Sequence, residues 1–102
     1  GGENAAKLML AKIRRNWYAR MPEIALLGVP GVVRIRFYIE RDGTVTGLTI
    51  TDESGKPPMD LAARDAIAAS SAFEPLPADL LGVDREGVTI TFYYNLKPPT
   101  RG

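Results

Sequence analysis

The sequence contains no cysteine and no histidine among its 102 residues. Without cysteine it can form neither a disulfide framework nor a cysteine–zinc site. Without histidine it lacks the Ser-His-Asp triad, histidine general-base catalysis and most zinc and iron sites. These two absences remove the commonest routes to catalysis before any pattern is considered.

Strong charge and long apolar runs are also missing. The formal net charge of +1 predicts no strong attraction to nucleic acid or to an anionic membrane. The longest apolar run, residues 24–33, is interrupted by glycine and proline and is too short to cross a bilayer, which needs roughly 20 residues. We therefore expect no membrane insertion by this segment. Because the chain begins Gly1-Gly2 without methionine, we interpret residues 1–3 as a remnant of excision from a longer protein.

What is present is the composition of an ordinary globular domain, with 45% hydrophobic and 25% charged residues. The length predicts a single domain over residues 1–102. We expect residues 97–102, which include Pro98-Pro99, to form a flexible tail.

Two segments have helical periodicity. The first predicts an amphipathic helix over about residues 4–18, with Asn4 as N-cap. The second predicts a helix from Pro58 to about Ser70. Residues 19–30 are expected to be irregular, and residues 73–77 to be a packed connection. The two predicted apolar stripes are Ala6, Met9, Leu10, Ile13 and Trp17, and Met59, Ala62, Ala63, Ala66 and Ile67.

Three segments alternate with a period of two, which is typical of half-buried strands. They are 31–40, 44–52 and Val88–Leu96. Asp42-Gly43 predicts a two-residue hairpin turn between the first two strands. That turn would set the pairs Ile39–Thr46, Phe37–Leu48 and Ile35–Ile50 on the apolar face, and Glu40–Val45, Tyr38–Gly47 and Arg36–Thr49 on the other. In the third strand Val88, Ile90, Phe92, Tyr94 and Leu96 are predicted to share the apolar face, and Thr89, Thr91, Tyr93 and Asn95 the other.

The element order α-β-β-α-β predicts an α+β fold of two layers. Both helices would cover the apolar face of a three-stranded antiparallel sheet. A right-handed crossover through the second helix would place the third strand beside the first, giving the order 2-1-3. The third strand would then form one edge of the sheet.

No motif organises the acidic or serine residues into a catalytic group. Asp42 is explained by its turn, and Asp60 by the first turn of a helix, where the dipole favours an acid. Ser54, Ser70 and Ser71 have no base in a recognisable arrangement. We therefore predict a protein that is not an enzyme and has no catalytic, cofactor-binding or metal-binding residues.

Two binding surfaces remain. The open sheet face, with Arg34, Arg36, Tyr38 and Tyr93, could stack single-stranded nucleic acid, although the low net charge favours an ordinary solvated face. The third strand carries no charge or proline between Thr89 and Asn95, so its edge lacks the usual blocks to further pairing. Its own tail or a second copy of the chain are alternative partners for that edge.

Four segments occur in an order that resembles the C-terminal domain of the TonB/TolA energy transducers. They are Ile13-Arg14-Arg15-Asn16-Trp17-Tyr18, Gly31-Val32-Val33-Arg34-Ile35-Arg36-Phe37 with Asp42-Gly43, Pro58-Met59-Asp60-Leu61-Ala62-Ala63, and Phe73-Glu74-Pro75-Leu76-Pro77. The resemblance covers about residues 6–96. The TonB branch is favoured, although the Asn16-Trp17-Tyr18 segment is more similar to TolA.

The resemblance implies a periplasmic domain of a protein anchored in the inner membrane and driven by an ExbB/ExbD-type motor complex. In the TonB branch such a domain binds the TonB box of outer-membrane transporters as a strand added beside the third strand. The implied binding residues are Val88, Thr89, Ile90, Thr91, Phe92, Tyr93, Tyr94, Asn95 and Leu96. In the TolA branch it would instead contact other envelope proteins.

Overall fold

The computed structural model describes residues 2–75 and 84–99. Its elements are helix α1 (Gly2–Ala19), helix α2 (Glu23–Leu26), strand β1 (Gly31–Glu40), strand β2 (Val45–Asp52), helix α3 (Pro57–Ser70) and strand β3 (Arg85–Tyr94). The strands form one antiparallel sheet in the order β2-β1-β3. The α+β architecture and the 2-1-3 order are therefore confirmed.

Helices α1 and α3 both pack on the apolar face of the sheet. Ala62, Ala63 and Ala66 of α3 are buried with Met59 and Ile67, as their helical spacing predicted. Their small side chains let the helix lie close to β1 and β2. On α1 the contact is narrower than predicted: Ile13 is 2% exposed, but Leu10 is 43% exposed. The core consists of Ile13, Ala25, Val33, Ile35, Phe37, Ile39, Met59, Ala63, Ile67, Phe73, Phe92 and Tyr94.

The hairpin between β1 and β2 differs from the prediction in its loop length. Glu40 donates its backbone N–H to the carbonyl of Thr44, so the loop has three residues, 41–43, instead of two. Gly43 takes a positive φ of 92°, as the last position of such a loop requires. Asp42 accepts hydrogen bonds from the N–H and the hydroxyl of Thr44, which lower the pKa of its carboxyl. The turn therefore depends on an aspartate side chain as well as on a glycine.

The register of β2 shifts twice, which makes part of the predicted pairing wrong. Ile35 pairs with Ile50 and Arg36 with Thr49 as predicted, but Tyr38 pairs with Thr46 and Ile39 with Val45. The cause is a bulge at Gly47, whose φ is +60°, since an extra residue in the strand exchanges its two faces. Val45 is therefore half-buried and Thr46 exposed, the reverse of the prediction.

Several helix and strand assignments also differ from the prediction. Helix α1 begins at Gly2, so Asn4 lies within it rather than capping it. The segment expected to be irregular contains α2, with Ala25 buried. Strand β3 covers Arg85–Tyr94 rather than Val88–Leu96, and Leu96 lies beyond it with 47% of its surface exposed. In the predicted packed connection Phe73 is buried, whereas Leu76 and Pro77 lie outside the described residues.

Candidate partner-strand interface

Strand β3 pairs with β1 without interruption. Ten consecutive pairs run from Gly31–Tyr94 to Glu40–Arg85, with no register shift. The bulges of the β1–β2 pairing are both in β2, so β1 itself stays regular. A regular β1 keeps β3 straight along its full length.

The direction of each backbone group in β3 follows from this pairing. Glu40 directs its backbone groups toward β2, as its bond to Thr44 shows. Because these groups alternate in direction along a strand, the odd-numbered residues of β1 face β3 and bond to its even-numbered residues. The backbone groups that point away from β1, toward the outer edge, therefore belong to Gly87, Thr89, Thr91 and Tyr93.

These outward groups have no backbone partner in the part of the chain that the structure describes. The charged residues of β3 stand at its start, Arg85 and Glu86, and none follows as far as Tyr94. Natural edge strands usually carry a lysine, proline or bulge that blocks further pairing. The edge of β3 between Gly87 and Tyr93 lacks all three.

The chain turns sharply after β3. Asn95 adopts a positive φ of 54°. Its side-chain nitrogen, Nδ2, donates hydrogen bonds to the backbone carbonyls of Ala25 and Val29, both at 2.8 Å. Asparagine tolerates this backbone conformation better than most residues. Asn95 and Leu96, predicted as binding residues of the strand, thus belong to the turn that ends it.

Aromatic contacts hold the end of β3 against the helices. The Trp17 ring meets those of Phe92 and Tyr94 edge-on, with centroids 5.3 and 5.0 Å apart. The Tyr94 hydroxyl donates to the carbonyl of Met59 at 2.8 Å. Burial raises the pKa of Tyr94; the neighbouring Trp17 side chain partly opposes this rise, and the charge of Asp60 makes the smallest contribution, an increase. The edge is therefore presented by a fixed strand.

Comparisons with known proteins identify the family to which this fold belongs. The family model for the Gram-negative bacterial TonB protein C-terminal matches residues 22–96. This chain belongs to the TonB C-terminal domain family.

Two solved structures of the Helicobacter pylori TonB C-terminal domain have similar folds. One, of residues 179–285, is 26% identical, with a TM-score of 0.62 over 89% of this chain and 83% of that one. The other, of residues 194–285, is 24% identical, with the same TM-score over 89% and 97% of the two chains. No curated protein matches the chain.

Family membership gives the coarse function. TonB C-terminal domains are non-catalytic interaction domains of the bacterial envelope, and the family is associated with outer-membrane transporters. Among the residues described in this TonB-type domain, no group of acidic side chains could hold a metal ion. No described helix combines the length and the apolar character of a membrane span.

The open face of the TonB-type sheet was the alternative binding surface, for single-stranded nucleic acid. Its charged side chains already have partners within the domain. Arg34 pairs with Asp52 at 2.8 Å, and Arg85 with Glu40 at 3.4 Å. The guanidinium groups of Arg36 and Arg85 lie over the Tyr38 ring, 5.4 and 4.9 Å from its centroid. This ring is already in contact with cations and is poorly placed to stack a base.

Sequence reasoning missed two parts of the interface. It did not find the turn at Asn95, whose only signal was an asparagine before a proline-rich tail. It also assigned Leu10 to the core, because its spacing on α1 is the same as that of the buried residues. Only packing shows that Leu10 is exposed where α1 lies beside β3.

Proposed function

We propose that this domain binds the TonB box of outer-membrane transporters by strand addition and passes on energy derived from the proton-motive force. The observation that supports the proposal most directly is the unguarded edge of β3. Gly87, Thr89, Thr91 and Tyr93 each offer a backbone N–H and a C=O to the outside. An extended peptide of about seven residues would match them at about 3.3 Å per residue.

The affinity expected for such a complex is modest. A short added strand buries less than the roughly 1,200 Å² of a stable protein interface. Backbone bonds also depend little on the partner's sequence, which suits a domain that serves several transporters. The domain itself would be held in the periplasm, with the inner-membrane anchor and the contacts with an ExbB/ExbD-type motor complex provided by other parts of the full-length protein. It needs no catalytic group for this work.

The test is a titration of the ¹⁵N-labelled domain with a synthetic TonB-box peptide. We expect the largest amide shifts at Thr89, Thr91 and Tyr93, because their N–H groups would gain a partner. The amides of Ile90 and Phe92 already bond to β1 and should shift less. Shifts confined to Arg34, Arg36 and Tyr38 would contradict the proposal.

Replacing Thr91 by proline removes one outward N–H. Edge positions whose N–H faces solvent tolerate proline, so Thr91→Pro should fold and yet bind the peptide at least about tenfold more weakly. Thr91→Val keeps the N–H and is the matched control. Equal binding by both variants would mean that the partner does not pair with this edge.

The other candidate partners are outcomes of the same experiments. Pairing of two copies through β3 would appear as a dimer in light scattering that TonB-box peptide dissociates. A TolA-like adaptor role would appear as capture of Tol components instead of a transporter from an envelope extract. The family match and both similar structures are of TonB domains, which supports the TonB branch.

A further inference from the structure

A strand added to β3 would place its side chains in two different surroundings. Alternate side chains of a strand point to opposite faces. On one side lies the open sheet face, with Thr89, Thr91 and Tyr93. On the other side lies a groove of about 230 Å³ between α1 and β3. The groove residues relevant here are Leu10, Arg14, Trp17, Phe92, Leu96 and Pro98.

The groove is suited to side chains of a peptide rather than to a small organic ligand. Its volume is below the range of about 300–1,000 Å³ that is usual for ligand pockets. The side chain of Leu10 stands at its border and is 43% exposed, although it lies on the apolar side of α1. An aliphatic side chain entering beside Leu10 would cover apolar surface that the described part of the domain leaves in water.

Among the described residues, Arg14 is the only charged one that lines this groove. It is exposed, and it forms no ion pair or side-chain hydrogen bond within residues 4–75 and 84–99. Arg34, Arg41, Arg64 and Arg85 each have an acidic partner in the same part of the chain. An acidic side chain on the added strand would provide the partner that Arg14 lacks.

The distance between Leu10 and Arg14 along α1 matches the distance between side chains on the same side of a strand. Met9 shares a cavity lining with Val88, while Trp17 contacts Phe92 and Tyr94, so α1 runs alongside β3 in the same direction. Leu10 and Arg14 are four residues apart, which is about 6 Å along a helix. Residues two apart in a strand point to the same side and are separated by about 6.6 Å.

We propose that α1 recognises the side chains of the strand bound at β3. The groove at Leu10 takes an aliphatic side chain, and Arg14 takes a carboxylate two residues away on the same side of that strand. This inference rests on the proposed strand addition and names the peptide chemistry that the interface selects. Leu96 and Pro98, which are both exposed, form one wall of the groove.

The test uses two synthetic peptides of about seven residues with identical composition. The first carries glutamate two residues from a single valine, and the second carries it three residues away, on the opposite side of the strand. We expect the domain to bind the first about fivefold more tightly, which is the upper range for an exposed ion pair. Equal affinities would overturn the inference.

A charge exchange gives the second arm. Arg14→Glu should weaken binding of the first peptide about fivefold, and a version of the peptide with lysine in place of glutamate should recover it. Arg15→Glu is the matched control, because Arg15 is exposed on the same helix and does not line this groove. If both substitutions weaken binding equally, Arg14 acts only through the net charge of the helix and does not bind the carboxylate directly. That result would overturn its assigned role.

Two further results separate the possible failures. If amides of Thr89 and Thr91 shift with every peptide regardless of side-chain spacing, strand addition stands and recognition by α1 is wrong. If no peptide shifts them, both proposals are wrong. A chain ending at Leu96 that binds every peptide equally and more tightly would identify the tail, rather than the partner, as the occupant of the groove.

Discussion

The two edges of this sheet are built differently. Strand β2 has two register shifts and a glycine at positive φ, and Arg34 pairs with Asp52 across its last bulge. Strand β3 has ten regular pairs and neither charge nor proline from Gly87 to Tyr94. Bulges and charges are the means by which natural sheets prevent unwanted pairing. Within residues 2–75 and 84–99 the sheet thus blocks one edge and leaves the backbone groups of the other without a partner.

The sharpest way to test this comparison is proline at adjacent positions of β3. Ile90→Pro removes an N–H that faces β1 and a half-buried side chain, so we expect a loss of about 3 kcal/mol in the free energy of unfolding. Thr91→Pro removes an N–H that faces outward and should cost less than about 1 kcal/mol. Urea denaturation followed by circular dichroism measures both. A larger loss in Thr91→Pro than in Ile90→Pro would show that the alternation of backbone groups is the reverse of the one derived above, and equal losses would contradict that alternation.

Removing the Tyr94 hydroxyl tests what fixes the open edge. Tyr94→Phe removes the buried hydrogen bond that the Tyr94 hydroxyl donates to the carbonyl of Met59, and we expect a loss of about 2 kcal/mol. Tyr93→Phe is the matched control, since the described residues include no hydrogen bond of its hydroxyl. A smaller loss in Tyr94→Phe than in Tyr93→Phe would contradict the role assigned to this contact.

The same pair of variants predicts a pH dependence. The pKa of Tyr94 in the folded state is raised above 10.0, so folding favours its neutral form. Its contribution to stability is fully present below about pH 10 and is lost as the pH rises through the raised folded pKa. Denaturation at about pH 8 and about pH 11 should show this loss in the parent chain and in Tyr93→Phe, but not in Tyr94→Phe.

The smallest effect is expected at the blocked edge. Gly47→Ala places a side chain at a φ of +60° and against the Tyr38 ring, with an expected loss of about 1–2 kcal/mol. Gly55→Ala is the control, because Gly55 also has a positive φ but has open space around it. Thermal unfolding should show the larger decrease in Tm for Gly47→Ala. The opposite order would mean that the Tyr38 contact does not hold the bulge.

Sequence patterns predicted correctly the features that depend on local burial and missed those that depend on contacts distant in sequence. Alternation placed Val88, Ile90, Phe92 and Tyr94 on one face correctly, because burial acts on every second residue of a strand. Alternation predicted the wrong faces for the start of β2, because Asp42-Gly43 fits turns of either two or three residues. There the longer loop is accompanied by a bond from the Phe73 N–H to the Gly43 carbonyl, a contact distant in sequence. The edge itself was predicted, but the sequence did not show which of its residues direct their backbone groups outward.

The sequence by itself determined the order of the two long helices and three strands, the apolar faces of β1 and α3, and the lack of histidine and cysteine chemistry. These follow from local periodicity and composition, which need no knowledge of neighbours. Only the tertiary structure decided the bulge at Gly47, the turn at Asn95 and the exposure of Leu10 beside the groove. Each of these depends on which distant groups come into contact, and a bulge of one residue is enough to exchange the faces of a strand.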